Sequence, residues 1–189
     1  MVKAMDKAAI QKGVDLILEG LGLDKHTEGL KDTAGRVANF YSEFFANKDD
    51  DPKASLKLYH AENRDELIIA RDITFYSMCE HHLLPFFGKV HIAYIPENNT
   101  ITGFSRLVRV VEVISRRLQI QERMTTAIAD TIVEVLRPKG VLVVVEAEQL
   151  CLTMCGLRQP GIRTISSAVR GALKNQATRQ EALVLIKSI

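Results

Sequence analysis

The chain has 189 residues, of which 47% are hydrophobic and 25% are charged, a size that suits one globular domain with a substantial core. Its formal charge of +2 is too small to favour nucleic acid or an anionic membrane as a partner. No apolar stretch approaches the roughly 18 residues of a membrane span, and the first six residues lack the apolar core of a signal peptide. We therefore expect a soluble, cytoplasmic protein.

Two helices are predicted in the N-terminal part of the chain. Apolar residues recur at helical spacing over residues 6–21, which indicates an amphipathic helix. Thr33 is a suitable N-cap for a second helix, which ends before the acidic, proline-containing break between Asp49 and Pro52. The first apolar stripe comprises Ala9, Ile10, Val14, Ile17, Leu18 and Leu21, and the second comprises Val37, Phe40, Tyr41, Phe44 and Phe45. We predict an N-terminal helical region over residues 1–65.

Strand patterns begin at residue 66 and alternate with two long helical patterns. Strands are predicted at residues 67–70, 73–76, 89–95, 141–145 and 163–169, and helices at 105–118, 122–136 and 179–186. Strands that pair around two central helices, with further helices at the termini, indicate an α+β fold rather than a doubly wound parallel sheet. Residues 66–189 form the main region of this prediction, in one compact unit with the N-terminal helices.

Three soft metal ligands lie in two short segments of the chain. Cys79 and His82 are three residues apart, a spacing that places both side chains on one side of a turn, and Cys151 follows a strongly apolar predicted strand. Because the cysteines number three, metal binding explains them better than a disulfide framework does. Three protein ligands would leave one tetrahedral position of zinc open for chemistry. On spacing alone, buried core thiols with a surface histidine explain the residues equally well.

Several motifs together resemble one enzyme family, GTP cyclohydrolase I, in the order expected and over nearly the full chain. They are SMCEHHLLPFFG at 77–88, YIP at 94–96, GFSRLVR at 103–109, QER at 121–123 and VVVEAE at 143–148. The resemblance implies an enzyme of pterin and folate biosynthesis that opens the imidazole ring of GTP, releases C8 as formate and recloses the product to 7,8-dihydroneopterin triphosphate. It also implies a tunnel fold over residues 66–189 and a homodecamer with active sites at subunit interfaces.

The same resemblance implies a zinc centre with an acid–base catalyst beside it. Cys79, His82 and Cys151 match the zinc ligands, and the metal would activate a water for attack on C8. His81 matches the acid–base catalyst, and an imidazole with an ordinary pKa near ~6.5 suits that role at neutral pH.

Substrate recognition is implied at two further sets of residues. Glu122 and Gln121 match positions that recognise the guanine base, where a carboxylate accepts hydrogen bonds from N1 and the exocyclic amine. Ser105, Arg106 and Arg109 match positions on the phosphate side, and the arginine fork suits phosphate oxygens.

One departure from the family pattern concerns proton transfer. Gln149 stands where the family has a second catalytic histidine, two residues before the third zinc ligand. Residues two apart on a strand share a face, so we expect Gln149 to point toward the metal. Because a carboxamide does not donate or take up a proton at neutral pH, we expect the reaction to be altered at this step.

The other departures concern the triphosphate. Cys155 replaces a family arginine and Asn39 replaces a family lysine, although Arg36 remains near Asn39. Charged hydrogen bonds contribute roughly 1.5 to 3 kcal/mol each, so two losses would weaken triphosphate binding by about two to four orders of magnitude. Arg158 and Arg163 flank the Cys155 region and are candidates to restore the charge.

Three functional readings follow from these departures. The first is a zinc-dependent GTP cyclohydrolase I-type hydrolase that opens GTP at C8, halted at a formamidopyrimidine product where Gln149 limits the later steps. The second is a diverged paralogue that hydrolyses another purine or a less phosphorylated guanine compound. The third is an inactive, zinc-stabilised oligomer that binds a purine or a regulatory partner. Cys155 as a fourth zinc ligand requires a sharp turn at residues 154–156.

Overall fold

The computed structural model describes residues 5–61, 66–155 and 158–187. The chain divides between Asp49 and Asp50 into two compact units, each with its own packing. The boundary predicted from the sequence, between a helical region of residues 1–65 and a main region of residues 66–189, stays a prediction. No helix in the described ranges is both long enough and apolar enough to cross a bilayer.

The first unit is a pair of helices, α1 (Lys7–Gly20) and α2 (Thr33–Phe44), packed against each other. The Asp6 carboxylate caps α1 by accepting a hydrogen bond from the Ala9 backbone N–H at 3.0 Å. Predicting Thr33 as a cap was wrong, since Thr33 is the first helical residue and Asp32 holds the N-cap position. Half of the predicted stripe of α1 is exposed: Leu18 is buried, whereas Ile17 and Leu21 are 62% and 68% exposed. One neighbouring helix within the unit covers only part of a six-residue stripe.

The second unit is built on a five-stranded sheet with strand order β5-β2-β3-β6-β7. Its strands are β2 (Ile68–Cys79), β3 (Pro85–Ile95), β5 (Leu118–Gln119), β6 (Gly140–Gln149) and β7 (Thr164–Gly171). Neighbours are antiparallel except β5, which runs parallel to β2. A separate two-stranded antiparallel sheet joins β1 (Leu58–His60) to β4 (Thr100–Thr102), and Pro52–Ser55 form a short 3₁₀ helix.

Helices cover both faces of the sheet. On one face, α3 (Phe104–Ser115) and α4 (Gln121–Leu136) bury the main core against the apolar side chains of β2, β3 and β6. On the other face, α6 (Gln176–Lys187) and the 3₁₀ turn Ala172–Lys174 form a smaller cluster around Leu142 and Leu173. The predicted α+β class, with two central helices on a largely antiparallel sheet, is confirmed.

Strand β2 contains a bulge that the sequence pattern did not reveal. Residues 67–70 and 73–76 were predicted as separate strand segments, but they belong to one strand whose register shifts between Ala70 and Ile73. Asp72 at the bulge has a positive φ of 61°. Ile68 and Ala70 face the main core before the bulge, and Ile73 and Phe75 face it afterwards. The extra residue therefore reverses which parity of side chain points inward.

A buried histidine closes this bulge. His91 on β3 is 7% exposed, and its Nδ1 accepts a hydrogen bond from the Asp72 backbone N–H at 3.2 Å. Burial lowers the pKa of His91, which favours the neutral ring that this bond requires.

Because of sheet pairing, some elements also end at residues other than those predicted. The helix predicted over residues 105–118 ends at Ser115, because Leu118 and Gln119 pair with Met78 and Cys79 as β5. Strand β6 is longer than predicted and extends to Gln149, where it meets Phe86 of β3. The short helix α5 (Leu150–Thr153) follows without a gap, so Cys151 lies on a helix and not on the strand.

Candidate active site

The sheet register brings two distant segments of the chain to the same end of the sheet. Met78 pairs with Pro85 on β3, and the next residue, Phe86, pairs with Gln149 on β6. Cys79 is the last residue of β2, and Cys151 lies two residues beyond the end of β6. Both cysteines pack on the face that carries the main core. The register thus explains how residues 72 positions apart come together.

A tight turn presents His82 beside Cys79. The backbone N–H of Leu83 donates to the carbonyl of Cys79, and the N–H of Cys79 donates to the carbonyl of Leu84, both at 2.9 Å. Leu83 has a positive φ of 53°, which lets the chain reverse within this turn. Cys79 Sγ and His82 Nδ1 are 3.8 Å apart as a result.

Cys79, His82 and Cys151 form a group of ligand atoms suited to a metal ion. The three ligand atoms lie within 4.8 Å of one another, and among the described residues this group does not include Cys155. Burial raises the pKa of the Cys151 thiol, and the nearby Cys79 raises it further because two thiolates repel each other. A divalent cation would remove that penalty by neutralising both sulfurs. Two thiolates and one imidazole are also the ligands that zinc prefers, so the residues fit the metal.

His81 lies at the edge of this group and contacts an ion pair. Its Nδ1 is 4.0 Å from Cys79 Sγ, its Nε2 is 3.8 Å from a carboxylate oxygen of Glu80, and its side chain is 64% exposed. Glu80 also forms an ion pair with Arg123 on α4. The sequence reasoning assigned no role to Glu80 or Arg123, although both fall inside the motifs that carried the resemblance. Their contact joins the turn that carries His81 and His82 to the first turn of α4.

Gln149 lies beside Cys151, although the reason given from the sequence was wrong. Cys151 is on α5, so the two residues do not share a strand face. The Gln149 side chain nevertheless places Oε1 at 3.8 Å from Cys151 Sγ and Nε2 at 2.9 Å from Gln121 Oε1. The predicted position next to the metal ligands thus arises from the turn into α5.

The two residues predicted to recognise the base differ sharply in exposure. Gln121, the first residue of α4, is 3% exposed, and its Nε2 donates to the carbonyls of Val145 and Thr164 at 3.0 and 3.1 Å. Glu122 is exposed in the first turn of the same helix. Glu122 is therefore available to a ligand, whereas the amide of Gln121 is already engaged within the protein.

Of the residues predicted for the phosphate side, Ser105 and Arg106 lie at the N-terminal end of α3, and Arg109 lies midway along it. The C-terminal end of α3 leads into β5 beside Cys79, whereas Ser105 and Arg106 occupy its first turn. Ten residues of helix rise about 15 Å. Arg109 is held by two carboxylates, at 2.8 Å from Glu112 and 3.7 Å from Asp50. Within this chain, Ser105 and Arg106 therefore lie away from the metal-ligand group, and Arg109 is engaged by carboxylates.

The two candidates of the phosphate side in the first unit, Arg36 and Asn39, each have a partner within that unit. In the first unit, Arg36 pairs with Asp32 at 3.3 Å, and the Lys7 ammonium donates to Asn39 Oδ1 at 3.3 Å. A positive charge therefore stands beside Asn39 even though the family lysine is missing.

The two arginines that were candidates to restore charge lie in the second unit. Arg163 pairs with Glu146 at 2.7 Å, and Arg158 is exposed with a positive φ of 46°.

Comparison with known proteins identifies the family. The family model for GTP cyclohydrolase I matches residues 10–187. GTP cyclohydrolase 1 of Carboxydothermus hydrogenoformans is 53% identical over 183 residues, covering 96% of this chain and 95% of that relative. The enzyme of the same name from Bacillus subtilis is 50% identical over 187 residues, covering 98% of each. A solved structure of the archaeosine synthase QueF-Like in the apo form covers 56% of this chain and 94% of that one, at 15% identity and a TM-score of 0.42. The chain belongs to the GTP cyclohydrolase I family.

Proposed function

We propose that this protein is a zinc-dependent hydrolase of the GTP cyclohydrolase I type, which opens the imidazole ring of GTP at C8. One observation carries the proposal: Cys79, His82 and Cys151 bring their ligand atoms within 4.8 Å of one another, with His81 alongside. Relatives named GTP cyclohydrolase 1 that are about half identical over nearly the whole chain support the same reaction.

The first part of the mechanism is the metal site. Cys79, His82 and Cys151 would hold the zinc, and these ligands leave a coordination position for a reactant. Zinc in such a site makes water a stronger nucleophile at neutral pH. The neighbouring side chains then have to orient the purine and move protons.

His81 is the residue that we assign to proton transfer. Its exposed ring reaches the edge of the metal group, and Glu80 holds one side of it while Arg123 fixes Glu80. Glu122, exposed at the start of α4, is placed to accept hydrogen bonds from guanine N1 and the exocyclic amine. The base and the reacting ring would thus be held from the α4 side of the site.

The second proton-transfer residue of the family is absent at Gln149. The carboxamide holds hydrogen bonds but does not exchange protons at neutral pH. We therefore expect ring opening to be faster than formate release and ring closure, so that a formamidopyrimidine intermediate accumulates before any dihydroneopterin triphosphate appears.

The proposed enzyme is a homo-oligomer with shared active sites. Because Ser105 and Arg106 lie about 15 Å along α3 from the end next to Cys79, a neighbouring subunit would have to supply the phosphate contacts at a given metal centre. This supports an assembly of tunnel-fold subunits, which we propose to be the cytoplasmic homodecamer of the family. Its partners would be other copies of the chain and a small purine, with no nucleic acid or membrane.

A second candidate substrate is a guanine compound with fewer phosphates, or another purine. Cys155 offers no charge, and the Arg109 guanidinium is engaged by Glu112 and Asp50. Both features weaken the site for a triphosphate and leave base recognition by Glu122 unchanged.

Mass spectrometry of the products after incubation of zinc-loaded protein with GTP tests the proposal. Formate, or a product heavier than GTP by one water, would support ring opening at C8. A Cys79→Ala variant is the control, because loss of one ligand should abolish the product. Unchanged GTP, with turnover of guanosine or GMP, would favour the second substrate class. No turnover of any purine, with zinc retained, would favour an inactive, zinc-stabilised binding protein.

A further inference from the structure

Gln149 belongs to a closed hydrogen-bond network that leaves its amide a single orientation. The network starts at the sheet, where the carbonyls of Val145 and Thr164 accept both hydrogens of Gln121 Nε2. Backbone carbonyls only accept, so the nitrogen of Gln121 must face them. Its Oε1 is consequently fixed on the opposite side, toward Gln149.

The next step fixes Thr164 and Gln149. The Thr164 hydroxyl lies 2.5 Å from Gln121 Oε1 and 3.2 Å from the carbonyl oxygen of Ala147. Both oxygens act only as acceptors, so the hydroxyl hydrogen is directed to them and the lone pairs of Thr164 Oγ1 remain for accepting. Gln149 Nε2 lies 2.9 Å from Gln121 Oε1 and 3.1 Å from Thr164 Oγ1. Each of these oxygens accepts one hydrogen of the Gln149 amide, which uses both. If the Gln149 amide were flipped, its Oε1 would face Gln121 Oε1, and neither oxygen could donate a hydrogen bond to the other.

The carbonyl oxygen of Gln149 is therefore directed away from the network. It lies 3.8 Å from Cys151 Sγ, on the side of the metal-ligand group. A neutral histidine at this position would have the same polarity if one ring N–H faced Gln121, since its other nitrogen would then be an acceptor. The glutamine reproduces that acceptor and lacks the ability to take up a proton.

We infer that Gln121 and Thr164 are positioning residues that fix Gln149 as a hydrogen-bond acceptor beside the metal-ligand group, in the manner of a neutral histidine. The group that Gln149 binds must then be a donor, such as a water or an N–H of the ring-opened product. This reaction role rests on the proposed function, whereas the orientation of the amide rests on the network alone.

Thr164→Val and Thr164→Ser form the central pair of variants. Valine keeps the shape of threonine and removes the hydroxyl, whereas serine keeps the hydroxyl. On strand β7, β-propensity alone would favour valine over serine. The network predicts the reverse order: the apparent Tm falls by about 5 °C with valine, and falls less with serine. Equal or higher stability of the valine variant would overturn the inference.

Binding of Co²⁺ to the full-length protein gives a readout at the metal-ligand group. Outer contacts of this kind typically change metal affinity by about ten to a hundredfold. We expect Thr164→Val to weaken Co²⁺ binding about tenfold and to alter the visible absorption of the complex, while Thr164→Ser stays within about threefold of the wild type. An unchanged spectrum and affinity in the valine variant would contradict a positioning role.

A third variant, Gln149→Glu, replaces the amide nitrogen by oxygen at constant size. The new oxygen would face Gln121 Oε1, so we expect a larger fall in Tm than for Gln180→Glu, the same change at an exposed site on α6. Equal Tm values for the two variants would mean that the amide of Gln149 is not engaged. None of these assays uses GTP, so absence of turnover would refute the proposed reaction and leave the network intact.

Discussion

The two ends of the proposed substrate site are built in contrasting ways. At the ring end, where the purine would react, one chain holds together the metal-ligand group and the amides of Gln121 and Gln149, and both amide nitrogens are engaged within the protein. At the proposed phosphate end, Arg109 is engaged by carboxylates, and a neutral cysteine occupies position 155. The contrast indicates that the ring-opening chemistry is preorganised, whereas phosphate binding depends on contacts that one chain does not complete.

Removal of a metal ligand should have the largest effect, because it should abolish both metal binding and chemistry at the ring end. We expect Cys151→Ala to lose bound zinc and to reduce product formation by at least about a thousandfold, because a site with two remaining ligands holds the metal weakly. Zinc content by elemental analysis and product formation by mass spectrometry measure both effects. Cys155→Ala is the matched control, since Cys155 lies outside the ligand group and its variant should keep zinc.

Restoration of the family histidine should speed the reaction at the ring end and leave binding at the phosphate end unchanged. We expect Gln149→His to raise the rate of formate release about a hundredfold or more, because a general acid–base residue typically contributes that factor. The KM for GTP should stay within a few-fold of the wild type. A changed KM with no gain in formate would show that the residue acts in binding and not in proton transfer.

Restoration of charge should improve the phosphate end alone. We expect Cys155→Arg to lower the KM for GTP about tenfold, since a charged hydrogen bond contributes roughly 1.5 to 3 kcal/mol. Steady-state kinetics with guanosine, which has no phosphate, provide the control and should not change. An equal gain with guanosine would place residue 155 near the base and contradict the phosphate assignment.

The smallest predicted effect concerns the β2 bulge, which lies outside both ends of the site. Burial depresses the pKa of His91 below its ordinary value, although Asp72 and Glu146 oppose the shift and Arg71 and Lys89 add to it. The unfolded chain therefore binds a proton more readily than the folded one as the pH falls. The stability contribution is complete above about pH 6.5 and is lost as the pH falls from there through the folded pKa.

Thermal unfolding between pH 7.5 and 5.5 measures this effect. We expect a loss of about 1 kcal/mol in the wild type, because protonation of His91 Nδ1 breaks its bond to the Asp72 N–H. His91→Gln supplies an acceptor that does not titrate, and its Tm should change less over this range. An equal pH dependence in both proteins would assign the loss to other groups.

The sequence was sufficient for the parts of the fold that depend on local periodicity and for predicting which three residues come together as a group suited to a metal. The two central helices, the central parts of β3 and β6, and the meeting of Cys79, His82 and Cys151 followed from patterns and from the resemblance. Features set by pairing between distant strands did not follow. Ser115 ends α3 because the chain beyond it pairs with Cys79 and its neighbour, a contact that no local window contains.

The roles of polar residues were the hardest to predict. Gln121 matched a base-recognition position, but its exposure of 3% and its bonds to two sheet carbonyls depend on the packing of α4 against β6 and β7. Thr164 had no motif of its own and acquires its role only through Gln121 and Gln149. A carboxamide has both a donor end and an acceptor end, so its function depends on which neighbours are already satisfied.

Because of the bulge in β2, the side of the sheet that Cys79 faces depends on a residue far from the metal-ligand group. Cys79 faces the same side of the sheet as Ile68 and Ala70 only because one additional residue lies between them near Asp72. Deletion of that residue would leave the CEHH motif intact in the sequence and would turn its cysteine to the opposite face from Cys151. Lineages of this chain should therefore tolerate substitution at the bulge far better than any change in the number of residues there.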